Sequence, residues 1–103
     1  MSVIEITNEN FENEVIHSDK PVLLDFWAVW CPPCKKLSPV VDLIAEENPQ
    51  IKVGKVNTDE QTELKERFSI MSIPTLIFFK NGEAITTSVG AISKTEIEKI
   101  IAM

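Results

Sequence analysis

The sequence predicts an α/β fold, a central mixed β-sheet flanked by helices on both faces. Three observations predict it. Strand-like and helix-like segments alternate in the order βαβαβαββα, the pattern of a sheet covered by helices. The run Val22 to Trp27 is apolar except for Asp25, as in a strand buried on both faces. Late in the chain, Asn81-Gly82 is a strong two-residue hairpin signal, which adds antiparallel pairing to the sheet.

Taken in order, Val3 to Thr7 alternates weakly and suits a short edge strand. Asn8 is expected to cap a helix with Glu9 and Glu12 in its first turn and Phe11 and Val15 on one face. Pro21 ends that segment. After the apolar strand, the stretch Lys36 to Asn48 reads as an amphipathic helix burying Leu37, Val40, Val41 and Ile44. Pro39 lies within it and is expected to kink it. Ile51, Val53 and Val56 mark a third strand, with Gly54 permitting close approach. Thr58 or Asp59 is expected to cap a short helix carrying Leu64 and Phe68. Ser72 to Thr75 turns into the strand Leu76 to Phe79, which returns through Asn81-Gly82 to about Val89. Ser93-Lys94-Thr95-Glu96 is a capping box, and Ile97, Ile100 and Ile101 give the last helix its apolar face.

A chain of 103 residues is expected to form a single domain over residues 1–103. Its 44% apolar and 25% charged residues are ordinary for a soluble globular protein. No apolar stretch approaches the length of a membrane span, and the N-terminus lacks the basic and apolar regions of a secretory signal. The expected location is the cytoplasm. A net charge of −6 argues against nucleic-acid binding, which calls for a basic face. Two cysteines in a reducing compartment favour a catalytic or metal role over a structural disulfide.

Both cysteines sit in Trp30-Cys31-Pro32-Pro33-Cys34-Lys35, between the apolar strand and the amphipathic helix. A Cys-x-x-Cys pair on such a turn is a redox pattern. Around it stand Asp25-Phe26-Trp27-Ala28, Lys55-Val56-Asn57-x-Asp59, Ile73-Pro74-Thr75, Phe79-x-Asn81-Gly82 and Val89-Gly90-Ala91. In that order and spacing the chain resembles the thioredoxin family over essentially its full length. The resemblance implies the thioredoxin fold and protein-disulfide oxidoreductase activity through a Cys31-Cys34 disulfide, with no other cofactor. It implies thioredoxin reductase and disulfide-containing proteins as partners, and action as a monomer. It also makes Pro74 a cis proline facing the cysteine pair. On the residue pattern alone, an ordinary trans proline opening a strand is the favoured reading.

Cys31 is expected to be the attacking thiol, at a helix N-terminus with Lys35 and Lys36 nearby. Cys34, one turn further on, is placed to attack the mixed disulfide that Cys31 forms with a target. A zinc site needs about four ligands, and His17 is the only histidine. Asp25 interrupts a buried strand. Burial raises a carboxyl pKa, unless the side chain escapes to solvent at a sheet edge. The resemblance assigns Asp25 proton transfer with Cys34, through water, with Lys55 tuning it. Trp27 reads as core. Trp30, with Ile73, Pro74, Gly90 and Ala91, is expected to form an apolar docking patch around Cys31, and the Ile73 backbone to pair with an extended target.

Two positions depart from the family pattern: Val29, where many relatives are acidic or polar, and Pro32, where glycine is most common. Proline in a first helical turn costs little, yet Pro32 and Pro33 remove two N–H donors from the loop around the thiolate. The expectation is a higher Cys31 pKa, a stiffer loop and a stronger reductant. Two other readings share the residues, a disulfide oxidant or isomerase and a non-catalytic scaffold.

Overall fold

In the computed structural model, which describes residues 3–103, the apolar run forms strand β2 (Val22–Trp27) at the middle of one sheet. It pairs in parallel with β3 (Lys52–Asn57) and antiparallel with β4 (Thr75–Lys80). Outside these lie β1 (Val3–Glu5), parallel to β3, and β5 (Glu83–Val89), antiparallel to β4. The sheet is mixed, in the order β1-β3-β2-β4-β5. Met1 and Ser2 of the expected domain lie outside the described residues.

Alternation along the strands sorts their side chains onto two faces. Val22, Leu24 and Phe26 of β2, with Ile77 and Phe79 of β4, pack on one face. That face is covered by a helical turn, Glu12–Ile16, and by α2 (Thr62–Arg67). Leu23 of β2, with Leu76 and Phe78 of β4, packs on the other face against α1 (Pro32–Glu47) and α3 (Lys94–Ile101). Each fully buried Leu, Ile or Phe contributes roughly 1.5–3 kcal/mol. On the first face Phe68 stacks tilted or edge-on against Phe11, Phe26 and Phe79 at centroid distances of 5.5, 6.0 and 5.6 Å. Asp25 shares the α1 face with Leu23 by the same alternation, and this places it behind the cysteine loop.

The hairpin forms as expected. Asn81 and Gly82 both have positive φ, 54° and 79°, as a two-residue turn matched to strand twist requires. Gly54 is crowded: a Cβ there would lie 2.5 Å from Ile6 Cγ1 and 3.0 Å from Leu24 Cδ2. The Ser93 hydroxyl caps α3, accepting from the Glu96 amide at 3.2 Å. Helix α1 runs on through Pro39 and starts at Pro32, ahead of the apolar spacing that begins at Lys36.

Other local expectations need correction. The segment after Asn8 is a π-helical turn over Glu12–Ile16, with no side-chain cap. The chain reaches it through a turn in which the Thr7 amide donates to Asn10 Oδ1 and the Asn10 amide donates to Thr7 Oγ1. That turn also stops β1 at Glu5 rather than Thr7. Asn8 instead serves a distant helix, its Oδ1 accepting from the Leu64 amide in the first turn of α2 at 3.2 Å. Neither Thr58 nor Asp59 caps α2. The Thr58 hydroxyl donates to the Trp27 carbonyl, and Asp59 accepts from Trp30, so the helix starts only at Thr62. Trp27 is half-buried rather than core.

Candidate active site

Strand β2 delivers the chain to Ala28, whose carbonyl accepts from the Cys31 amide at 3.3 Å. Cys31 has extended backbone, φ −105° and ψ 104°, and is the N-cap of α1. Pro32 follows as the first helical residue, where a missing N–H costs nothing and a fixed φ suits the helix. The first amide after the two prolines belongs to Cys34, and it donates to the Cys31 sulfur at 3.3 Å. The two sulfurs are joined in a disulfide, with the Cα atoms 5.2 Å apart. Both cysteines are buried, while the rings of Pro32 and Pro33 and the side chains of Lys35 and Lys36 are exposed.

A second segment approaches from the entrance to β4. The Ile73–Pro74 bond is cis, as the resemblance implies. The Ile73 carbonyl oxygen lies 3.8 Å from the Cys31 sulfur. In the disulfide that sulfur has no proton to donate, so this is a contact; a Cys31 thiol would have an acceptor there. Ile73 packs on the cluster of Ala28, Cys31 and Cys34. Pro74 is buried, and its carbonyl accepts from the Gly90 amide at 2.7 Å. Gly90 has φ 95°, a conformation that favours glycine. Ala91 follows it, exposed.

Trp30 is 65% exposed, and its indole Nε1 donates to Asp59 Oδ2 at 2.8 Å. Val29, Met71 and Val89 are also exposed. Each stands within two positions of Trp30, Ile73 or Gly90 in the chain. Met71 and Val89 escaped sequence reasoning because an isolated apolar residue carries no signal of exposure.

Behind the disulfide, Asp25 is 1% exposed, and neither carboxylate oxygen has a hydrogen-bond partner. Burial pushes its pKa from 3.8 up to about 7, against the lowering effect of the Lys55 charge and with a further rise from Asp42. A cavity of about 210 Å³ is lined by Asp25, Trp27, Cys34, Lys35, Ser38 and Lys55. It has room for several waters, each occupying about 30 Å³ in the liquid. Asp25 and Cys34 thus open on one space. Lys55, the register partner of Asp25 on β3, turns its ammonium to Ser38 Oγ at 2.6 Å and Asp42 Oδ1 at 2.8 Å. Ser38 and Asp42 were not singled out from the sequence, since their place depends on how α1 lies across β3.

Among the described residues, no group of three or more His, Cys, Asp or Glu is placed to hold a metal ion. Among them, too, no helix is long and apolar enough to cross a membrane. His17 is exposed at the end of its helical turn.

The thioredoxin family model matches residues 2–103. The chain belongs to the thioredoxin family. It is 50% identical over 102 residues to a thioredoxin of Porphyra purpurea, covering 98% of this chain and 95% of that one. Thioredoxin 1 of a Nostoc species is 47% identical over 98 residues, with 94% and 92% covered. A thioredoxin of Haemophilus influenzae is 44% identical over 100 residues, with 96% and 94% covered. With its paired Cys31 and Cys34, the chain is a disulfide oxidoreductase of this family. Membership implies a reductase and disulfide-bearing proteins as partners in general.

Proposed function

We propose that the chain is a general protein-disulfide reductase, one domain over residues 1–103, recharged by thioredoxin reductase and working as a monomer in the cytoplasm. The carrying observation is that the Cys31 sulfur occupies the N-cap of α1 under the Cys34 amide, while unpartnered Asp25 shares a cavity with Cys34. An amide donor and the positive end of a helix stabilise a thiolate at Cys31.

In the reduced protein the Cys31 thiolate attacks one sulfur of a target disulfide. The target S–S bond breaks, a Cys31–target bond forms, and the departing target sulfur leaves as a thiolate that takes a proton from water. Cys34 then loses its proton through cavity water to the Asp25 carboxylate. Its thiolate attacks the Cys31 sulfur, and the Cys31–target bond breaks as the Cys31–Cys34 bond forms. The second target sulfur leaves as a thiolate that takes a proton from water. The target gains two electrons and the protein loses two. The reductase returns both, and Asp25 gives back its proton as Cys34 is released.

Lys55 sets the charge around Asp25. Trp30, Ile73, Pro74, Gly90 and Ala91 hold the target, with the Ile73 backbone pairing to an extended segment beside the scissile disulfide. Pro32 and Pro33 shape the loop that closes on itself. The test is insulin reduction with thioredoxin reductase and its reduced cofactor as the electron source. Wild type should turn over, and Cys31→Ser or Cys34→Ser should abolish turnover, since loss of a catalytic nucleophile can cost up to about 10⁶-fold. Turnover that survives Cys31→Ser would sink the reading.

A further inference from the structure

Asp25 and Lys55 stand opposite each other on adjacent parallel strands and line one cavity. A buried carboxylate beside an ammonium ordinarily forms an ion pair. Here it does not. The carboxylate has no hydrogen-bond partner, while the Lys55 ammonium is bonded to Ser38 Oγ and Asp42 Oδ1. Ser38 and Asp42 lie four residues apart on α1, and Cys34 lies four before Ser38. That spacing puts all three along one stripe of the helix. The stripe that carries Cys34 also carries the two groups that hold the lysine.

We propose that Ser38 and Asp42 are positioning residues that draw the Lys55 ammonium onto α1 and so leave Asp25 without an ion-pair partner beside Cys34. This rests on the reading of Asp25 as the group that exchanges a proton with Cys34. A free ammonium within about 4–6 Å typically lowers a carboxyl pKa by 1–3 units. Asp25 paired in that way would be a much weaker base toward a thiol. Held by Ser38 and Asp42, Lys55 keeps its charge partly neutralised, and Asp25 keeps its basicity.

The charged groups around the cavity are Lys55 on β3 and Lys35 on α1, with Asp42 of α1 bonded to Lys55. A neighbouring cavity of about 360 Å³ shares Trp27 and Lys55 and adds Asp42 and Glu5 to its walls. Lys55 therefore lines both cavities, and its partner Asp42 lines the second. The Asp42 side chain is 52% exposed. The Lys55 side chain is 18% exposed, and since exposed ion pairs contribute about 0–1 kcal/mol, Asp42, at the exposed end of the pair, is the end to substitute.

The experiment follows the Asp25 carboxyl carbon by NMR through a pH titration of the oxidised protein. Asp42→Asn should lower the Asp25 midpoint by about one unit, and Ser38→Ala should lower it by less. Lys55→Met should raise it. In a Lys55→Met background, Asp42→Asn should give less than about half its effect in the wild type, because the two act through one another. An unmoved midpoint in Asp42→Asn would overturn the proposal. So would an equal shift with and without Lys55, which would make Asp42 a direct charge effect. The titration reads Asp25 itself, so it is decided whether or not Asp25 serves Cys34. That separate reading fails if Asp25→Asn leaves turnover unchanged.

Discussion

The Cys34 amide donates to the Cys31 sulfur at 3.3 Å across a turn whose two intervening residues are both proline. In that turn the prolines leave this amide as the first backbone donor that the sulfur meets. Pro32→Gly restores a second N–H at the helix start, and a fully formed hydrogen bond to a charged group contributes about 1.5–3 kcal/mol net of competition with water. The Cys31 pKa in the variant should fall by up to about one unit. The loop also gains freedom in the dithiol, which raises the entropic cost of closing the ring. Both effects disfavour the disulfide, so the reduction potential of the variant should rise. Thiolate absorbance against pH and redox equilibration with glutathione measure the two quantities. A lower potential in the glycine variant would contradict the account.

Asp25 gives a stability prediction with a definite sign. Its pKa rises from 3.8 to about 7 on folding, through burial. The folded state therefore binds more protons than the unfolded state between those values, and stability falls as pH rises through that window. Below pH 3.8 the carboxyl is neutral in both states and the penalty is absent; above about 7 it is fully present. Asp25→Asn removes the penalty. Chemical denaturation of the oxidised variant should show a gain of up to about 4 kcal/mol near pH 8 and little gain near pH 4. An equal gain at both pH values would point to packing rather than charge.

Trp30 stands 65% exposed, held by its indole bond to Asp59. An aromatic anchor at an interface typically contributes about 2 kcal/mol. Trp30→Ala should raise KM for insulin by roughly thirtyfold while leaving reduction of a small aromatic disulfide within about twofold. Equal losses on both substrates would place Trp30 in the chemistry instead of the docking surface.

The element order was legible because each signal is local: the apolar run of β2, the three-and-four spacing of α1, the Asn-Gly turn and the Ser93 cap. The pairing of the strands into one mixed sheet followed from that order. Helix caps were less legible. Asn8 has the composition of a cap for its own segment, yet its oxygen serves α2, more than fifty residues away in the chain. Thr58 and Asp59 look like caps and are taken by Trp27 and Trp30. A polar side chain at a helix start can bond wherever the tertiary fold brings an amide, and sequence proximity does not reveal which.

The site divided in the same way. The cysteine loop and the buried Asp25 could be read from residue types and their positions. The cis bond at Pro74 came from the resemblance, since an X-Pro pair carries no local mark of its isomer. Lys55 was assigned a role near Asp25, but its attachment to Ser38 and Asp42 depends on the β2–β3 register and on the seat of α1. Trp27 looked like core and instead forms part of the cavity wall.

The central claim is that Cys31 attacks and Cys34 resolves. Mass spectrometry of the reduced single-cysteine variants, mixed with a protein disulfide, tests it most directly. Cys34→Ser should accumulate a stable mixed disulfide through Cys31, while Cys31→Ser should form its adduct far more slowly. Equal rates of adduct formation at the two cysteines, or a faster rate at Cys34, would contradict the account.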